Sequence, residues 1–73
     1  MRALTVFDDP LAAIFDDEEH SDLETREIII GHSDQSQLLV VIFTERSGRV
    51  RIISARPATR RERSDYEENA RFR

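Results

Sequence analysis

The segment RVRIISARPATRRERSDY, residues 49–66, carries six arginines (Arg49, Arg51, Arg56, Arg60, Arg61 and Arg63) in a chain without a single lysine. A guanidinium binds phosphate or carboxylate through a planar two-pronged fork that an ammonium group cannot reproduce. Arg56 closes a run of strand-forming residues, and Arg60, Arg61 and Arg63 fall in the first turn and a half of a predicted helix. Cations at a helix start oppose the macrodipole. Helix N-termini and arginines both attract anions, however, so together they make a phosphate site. Two readings stay open on the residues alone. The segment is either an anion-binding surface or a salt-bridged one, with Arg56 pairing Glu62 or an acid from the first half of the chain.

The remaining candidates are fewer. His32 could act as a general base, because histidine is the side chain that titrates near neutrality, or it could be a structural residue at a strand end. Asp16, Asp17, Glu18 and Glu19 with His20 form an acidic cluster without regular ligand spacing, so a solvated loop and no metal site is the expectation. With two glycines and no cysteine, the chain offers no glycine-rich phosphate loop, disulfide framework or thiolate zinc site. No nucleophile elbow or Ser-His-Asp set is present.

Charge is divided along the chain. Residues 1–27 hold nine acids against two arginines, residues 28–45 add Asp34 and Glu45, and residues 46–73 hold nine arginines against four acids. A net charge of −4 therefore conceals a basic C-terminal part, a split that points to nucleic acid or an acidic protein as partner. At 73 residues the chain is one domain, and a chain of that size buries only about 60% of its unfolded surface. The N-terminus lacks the apolar core of a signal peptide and the longest apolar run, Leu38 to Phe43, is far too short to span a bilayer, so a cytoplasmic protein without membrane contact is expected.

The elements that must position these residues read as follows. Ala3 to Phe7 is an irregular or helical lead-in stopped by Asp8-Asp9-Pro10. Leu11 to Phe15 is a short strand, Glu27 to His32 a strongly β segment with three successive isoleucines, and Leu38 to Thr44 a strand apolar enough to need cover on both faces. Gly48 turns the chain into a fourth strand, Val50 to Ala55, whose alternation is disturbed by adjacent Ile52 and Ile53. Thr59 and Glu62 match a capping box at the start of a helix whose apolar stripe is only Tyr66, Ala70 and Phe72. The fold class is α+β: an antiparallel meander of about four strands followed by a C-terminal α-helix.

Three stretches, VFDDPLA, REIIIGHS and LLVVIFTERSGRVRIISARPATRRERSDYE, resemble the BrnT-type toxins of bacterial type II toxin–antitoxin pairs. The third is the most specific, with TER and RIISAR.AT..ER..Y in family order, and the resemblance runs from about Thr5 to Glu67. It implies a single BrnT-like toxin domain over residues 1–73, with a RelE-like fold and no cofactor. It implies an RNA substrate, cut so that translation stops, and a cognate BrnA-type antitoxin as partner. Operator DNA would be reached only through that antitoxin, and higher-order toxin–antitoxin assembly stays open. The family's basic strand and helix place functional weight on Arg46, Arg51, Arg56, Glu62, Arg63 and Tyr66.

On the chemistry of the side chains, Arg56 and Arg63 would stabilise charge on phosphate oxygens. Glu62 or His32 would take the proton of the 2′-hydroxyl, and Tyr66 would stack a base or orient the phosphate. Arg46, Arg51, Arg60 and Arg61 complete the expected RNA-binding surface. Family members usually carry a further strand and helix, with a KHG stretch, ahead of the counterpart of TVFDDPLA. The resemblance therefore implies an N-terminally shortened fold. The alternative function is a catalytically silent short form that binds the antitoxin and tunes operon repression.

Overall fold

The β-branched run at 28–30 and the apolar run at 38–43, with Val40, Val41 and Ile42 at its centre, dictate the middle of the molecule, since such side chains pack well on a pleated surface. The computed structural model describes residues 2–17 and 25–71. A 3-10 helix, Ala3–Asp8, is followed by strands β1 (Ala13–Asp16), β2 (Glu27–His32), β3 (Leu38–Arg46) and β4 (Arg49–Pro57), then helix α1 (Arg60–Arg71). The strands form one antiparallel sheet in the order β1-β2-β3-β4. The α+β class, the meander and the C-terminal helix are as expected. Phe72 and residues 18–24, with most of the acidic cluster, lie outside the described residues.

Strand register sorts the core into two faces. Ile29, Leu39, Val41 and Phe43 point one way and bury Val6 and Ala12, with the Phe7 ring edge-on to Phe43 at a centroid distance of 4.9 Å. Ile30, Leu38 and Val40 point the other way and bury Tyr66 of α1. Each fully buried aliphatic side chain of this kind contributes about 1.5–3 kcal/mol. The chain itself thus supplies the cover that Leu38 to Val41 need on both faces. Ile42 remains half-buried.

Three strands have bounds other than those expected, for local reasons. Strand β1 starts at Ala13 and not Leu11, because Asp9 holds a turn: its carbonyl accepts from the Ala12 N–H (3.1 Å) and its Oδ1 from the Leu11 N–H (2.9 Å). Strand β4 extends from Arg49 to Pro57, with a register shift opposite Ile42 and Phe43. Ser54 faces Ile42 and Ile52 faces Phe43, so Ile53 is the extra residue of a β-bulge. That bulge accounts for the adjacent isoleucines. Strand β3 continues to Arg46 because the turn is as tight as two residues allow: Ser47 and Gly48 both have positive φ, 54° and 77°, as a type I′ hairpin requires.

Helix α1 begins on the expected capping box. The Glu62 N–H donates to Thr59 Oγ1 (3.2 Å), and the Thr59 N–H donates back to Glu62 Oε1 (2.9 Å). At the other end of the chain, the 3-10 helix is tied to the β2–β3 turn. The Asp34 N–H donates to Thr5 Oγ1 (2.9 Å), and Arg2 Nε lies 2.7 Å from Asp34 Oδ2.

Candidate active site

Gly31 lets the segment after the 3-10 helix press against the sheet. A Cβ there would sit 2.9 Å from Val6 Cγ1, 3.0 Å from Ala12 Cβ and 3.3 Å from Asp9 Oδ2. Through this close approach the Asp9 carboxylate reaches the end of β2 and the helix beyond it. Its Oδ2 accepts the His32 backbone N–H at 2.8 Å and the Tyr66 hydroxyl at 2.7 Å. The Tyr66 oxygen lies 3.2 Å from His32 Nδ1, with the two rings edge to face at 5.1 Å.

The proton positions follow from the donor count. An ionised carboxylate only accepts, so the single Tyr66 proton goes to Asp9 and the phenol oxygen is left as acceptor for His32 Nδ1–H. The network therefore assigns the Nδ1-protonated tautomer to neutral His32 and leaves Nε2 with the lone pair. Should the ring take a second proton, Asp9 Oδ2 stands 3.6 Å from Nδ1 to balance the charge. Burial pushes the Asp9 carboxyl up, but the N–H groups of His32 and Leu11, the Tyr66 hydroxyl and His32 charge together bring it below the usual carboxylate value. Burial, then Asp9, drives the Tyr66 phenol the other way, up to about 12. His32 lines an open pocket of about 250 Å³ with Thr5, Asp8, Asp9, Ser33 and Asp34. This arrangement can hold an imidazole as a base beside open space.

Glu62 and Arg56 form a second unit. Arg56 Nη1 and Nη2 meet Glu62 Oε1 and Oε2, each at 2.6 Å, a two-pronged pair between the end of β4 and the first turn of α1. The Arg56 guanidinium holds the Glu62 carboxyl down at about 2, and Glu62 raises Arg56 in turn. A carboxylate so acidic is a weak base. Of the two readings open for Arg56, the pairing with Glu62 is the one present, and it engages one edge of the fork expected for phosphate.

The other candidate arginines separate. Arg60, Arg61 and Arg63 are exposed on the first turn of α1. Arg46 and Arg51 sit instead at the β3–β4 turn, with Arg49 beside them. His32 pairs with Leu38, and Arg46 lies eight residues further along β3, roughly 27 Å at the usual rise per residue. His32, Arg56, Glu62 and Tyr66 are thus gathered at one end of the sheet, and Arg46 and Arg51 mark the other. Asp9 was not singled out from the sequence. Its signal was the Asp-Pro turn before a strand, which read only as a helix stop. Among the described residues, no group of three or more His, Cys, Asp or Glu side chains could hold a metal ion.

Residues 1–62 match the family described as the ribonuclease toxin BrnT of type II toxin–antitoxin systems. The chain belongs to the BrnT toxin family. The matched span of this BrnT family member includes Asp9, Gly31, His32, Arg56 and Glu62, whereas Arg63 and Tyr66 lie beyond it. No curated protein matches the chain. Membership in a type II toxin family implies an antitoxin partner. No described helix is long and apolar enough to cross a membrane.

Proposed function

We propose that this BrnT family member is a metal-independent endoribonuclease with a RelE-like fold that stops translation in the cytoplasm and is neutralised by a BrnA-type antitoxin. In this reading residues 1–73 act as one toxin domain, and operator DNA is reached through the antitoxin. The observation that supports it most is His32, held by Tyr66 and Asp9 with Nε2 left as a base. His32 Nε2 takes the proton of an RNA 2′-hydroxyl, and the 2′-oxygen forms a bond to the adjacent phosphorus. The P–O5′ bond breaks, the leaving 5′-oxygen takes a proton from water, and a 2′,3′-cyclic phosphate remains. Arg63 and the free edge of Arg56 stabilise the charge that develops on the phosphate oxygens. Glu62 serves by orienting Arg56, and its low proton affinity favours His32 as the base.

A second reading has its own support. Asp8, Asp9 and Asp34 stand around the His32 pocket, an acidic setting that disfavours a phosphate. It favours a silent, antitoxin-binding role.

The test is RNA cleavage by the purified chain in EDTA, with His32→Ala beside it. Cyclic-phosphate ends, made in EDTA and reduced about 100-fold or more in the variant, are expected for loss of a general base. RNA left intact by a chain that still binds its antitoxin would establish the second reading.

A further inference from the structure

Two cross-links join the segments on either side of the His32 pocket. Thr5, Asp8 and Asp9 line it from the 3-10 helix and the residue that follows, and His32, Ser33 and Asp34 line it from the end of β2 and the turn beyond. The inner link is the Asp9 carboxylate, only 9% exposed, on the His32 backbone N–H. Thr5 makes the outer one. Its hydroxyl oxygen accepts the Asp34 N–H at 2.9 Å. Its proton goes to the Arg2 carbonyl at 2.7 Å, a nearer acceptor than Asp34 Oδ1 at 3.4 Å. Arg2 Nε closes the ring on Asp34 Oδ2.

The turn that Thr5 catches is stiff. The Ser33 N–H donates to the Gln37 carbonyl (2.9 Å) and the Ser36 N–H to the Ser33 carbonyl (3.0 Å). Ser33 is buried, and its hydroxyl accepts the N–H groups of Gln35 and Gln37 at 3.3 Å each. A turn locked in this way shifts as a unit, so one bond at Asp34 sets where it stands relative to Asp8 and Asp9. The Arg2–Asp34 ion pair adds little, because both side chains are about half-exposed. The hydroxyl is the part that matters, since it is acceptor and donor at once.

We infer that Thr5 is a positioning residue for RNA cleavage: its hydroxyl fixes the spacing between the two walls of the pocket in which a ribose presents its 2′-hydroxyl to His32 Nε2. The inference rests on the ribonuclease reading above. Rates depend steeply on such alignment, and a displacement of about 1 Å can cost about 100-fold. With both of its bonds made inside the protein, the hydroxyl holds the wall and not the substrate. Affinity for the phosphates falls to the arginines, so loss of the hydroxyl lowers kcat and leaves KM nearly as it was.

The test uses the full chain with Thr5→Val, Thr5→Ser and Asp34→Ala. In Thr5→Val the Asp34 amide should exchange with solvent about tenfold faster, the worth of one net hydrogen bond. Its kcat on single-stranded RNA should fall about tenfold or more at nearly unchanged KM. Thr5→Ser restores the hydroxyl and should recover both. Asp34→Ala keeps the backbone donor, so the amide at position 34 should stay protected; its loss there would assign the link to the ion pair and overturn the role of Thr5. A purely structural Thr5 would lower thermal stability and leave kcat per folded molecule unchanged, which would also overturn the proposal. So would a serine variant as slow as the valine one, since the methyl group would then be what matters. RNA left intact by the wild type would overturn the ribonuclease reading and this role with it, whereas wild-type cleavage equalled by Thr5→Val overturns the role alone.

Discussion

The Tyr66 hydroxyl donates to Asp9 Oδ2 across 2.7 Å although the two residues are fifty-seven positions apart. This contact joins the turn after the 3-10 helix to the buried face of α1 and leaves the phenol oxygen available to His32.

Tyr66 is the one tyrosine, and there is no tryptophan, so tyrosinate absorbance reports on it alone. Its titration midpoint is expected near 12 rather than 10.0. The folded pKa is raised, so the linked stability is complete below the ordinary value and is lost as pH rises through the folded one. Alkaline unfolding should accompany the titration, and Asp9→Asn should move the midpoint down. A wild-type midpoint at the ordinary value in folded protein would contradict the buried hydrogen bond.

The Arg56–Glu62 pair makes the opposite pH prediction. Glu62 falls from 4.5 to about 2 on folding, so its stabilisation is present above 4.5 and lost as pH falls toward 2. Arg56 is half-exposed, and solvent screening holds the expected effect to about 1 kcal/mol. Thermal melts of wild type and Glu62→Gln should converge in acid and separate at neutral pH. Parallel curves across that range would mean that the pair contributes nothing.

Gly31→Ala should destabilise the fold by about 1–3 kcal/mol, the usual cost of overpacking, since its Cβ would press on Val6 and Ala12. Denaturant titration measures this directly. The same substitution should displace Asp9, so the Tyr66 midpoint should fall together with the stability.

Tyr66→Phe removes the acceptor of His32 Nδ1–H while keeping the ring in the core. Nitrogen chemical shifts of His32 should then show a mixture of tautomers, where the wild type shows Nδ1–H. Cleavage, where present, should fall less than in His32→Ala, because the base itself survives. An unchanged tautomer ratio would remove Tyr66 from the network.

Much of the local structure was legible in the residue order. Ile28 to Ile30 are β-branched, and Leu38 to Phe43 are apolar with Val40, Val41 and Ile42 β-branched, so both runs favour strands. Gly48 marks the hairpin, and Thr59 with Glu62 writes its own helix start, because capping is settled within four residues. The Arg56–Glu62 pair, six positions apart across a strand end and a helix turn, was one of two readings that the order left open. Tertiary structure alone decided the rest. Six arginines that look like one basic cluster are divided between two ends of a sheet, because β4 runs nine residues in one direction before α1 begins. Asp9 joined His32 and Tyr66 only through strand register, for which a slip of one residue would turn every side chain to the other face. Neighbours along the chain are set by local sterics and hydrogen bonds, whereas meetings across it depend on how two sheet faces are covered at once.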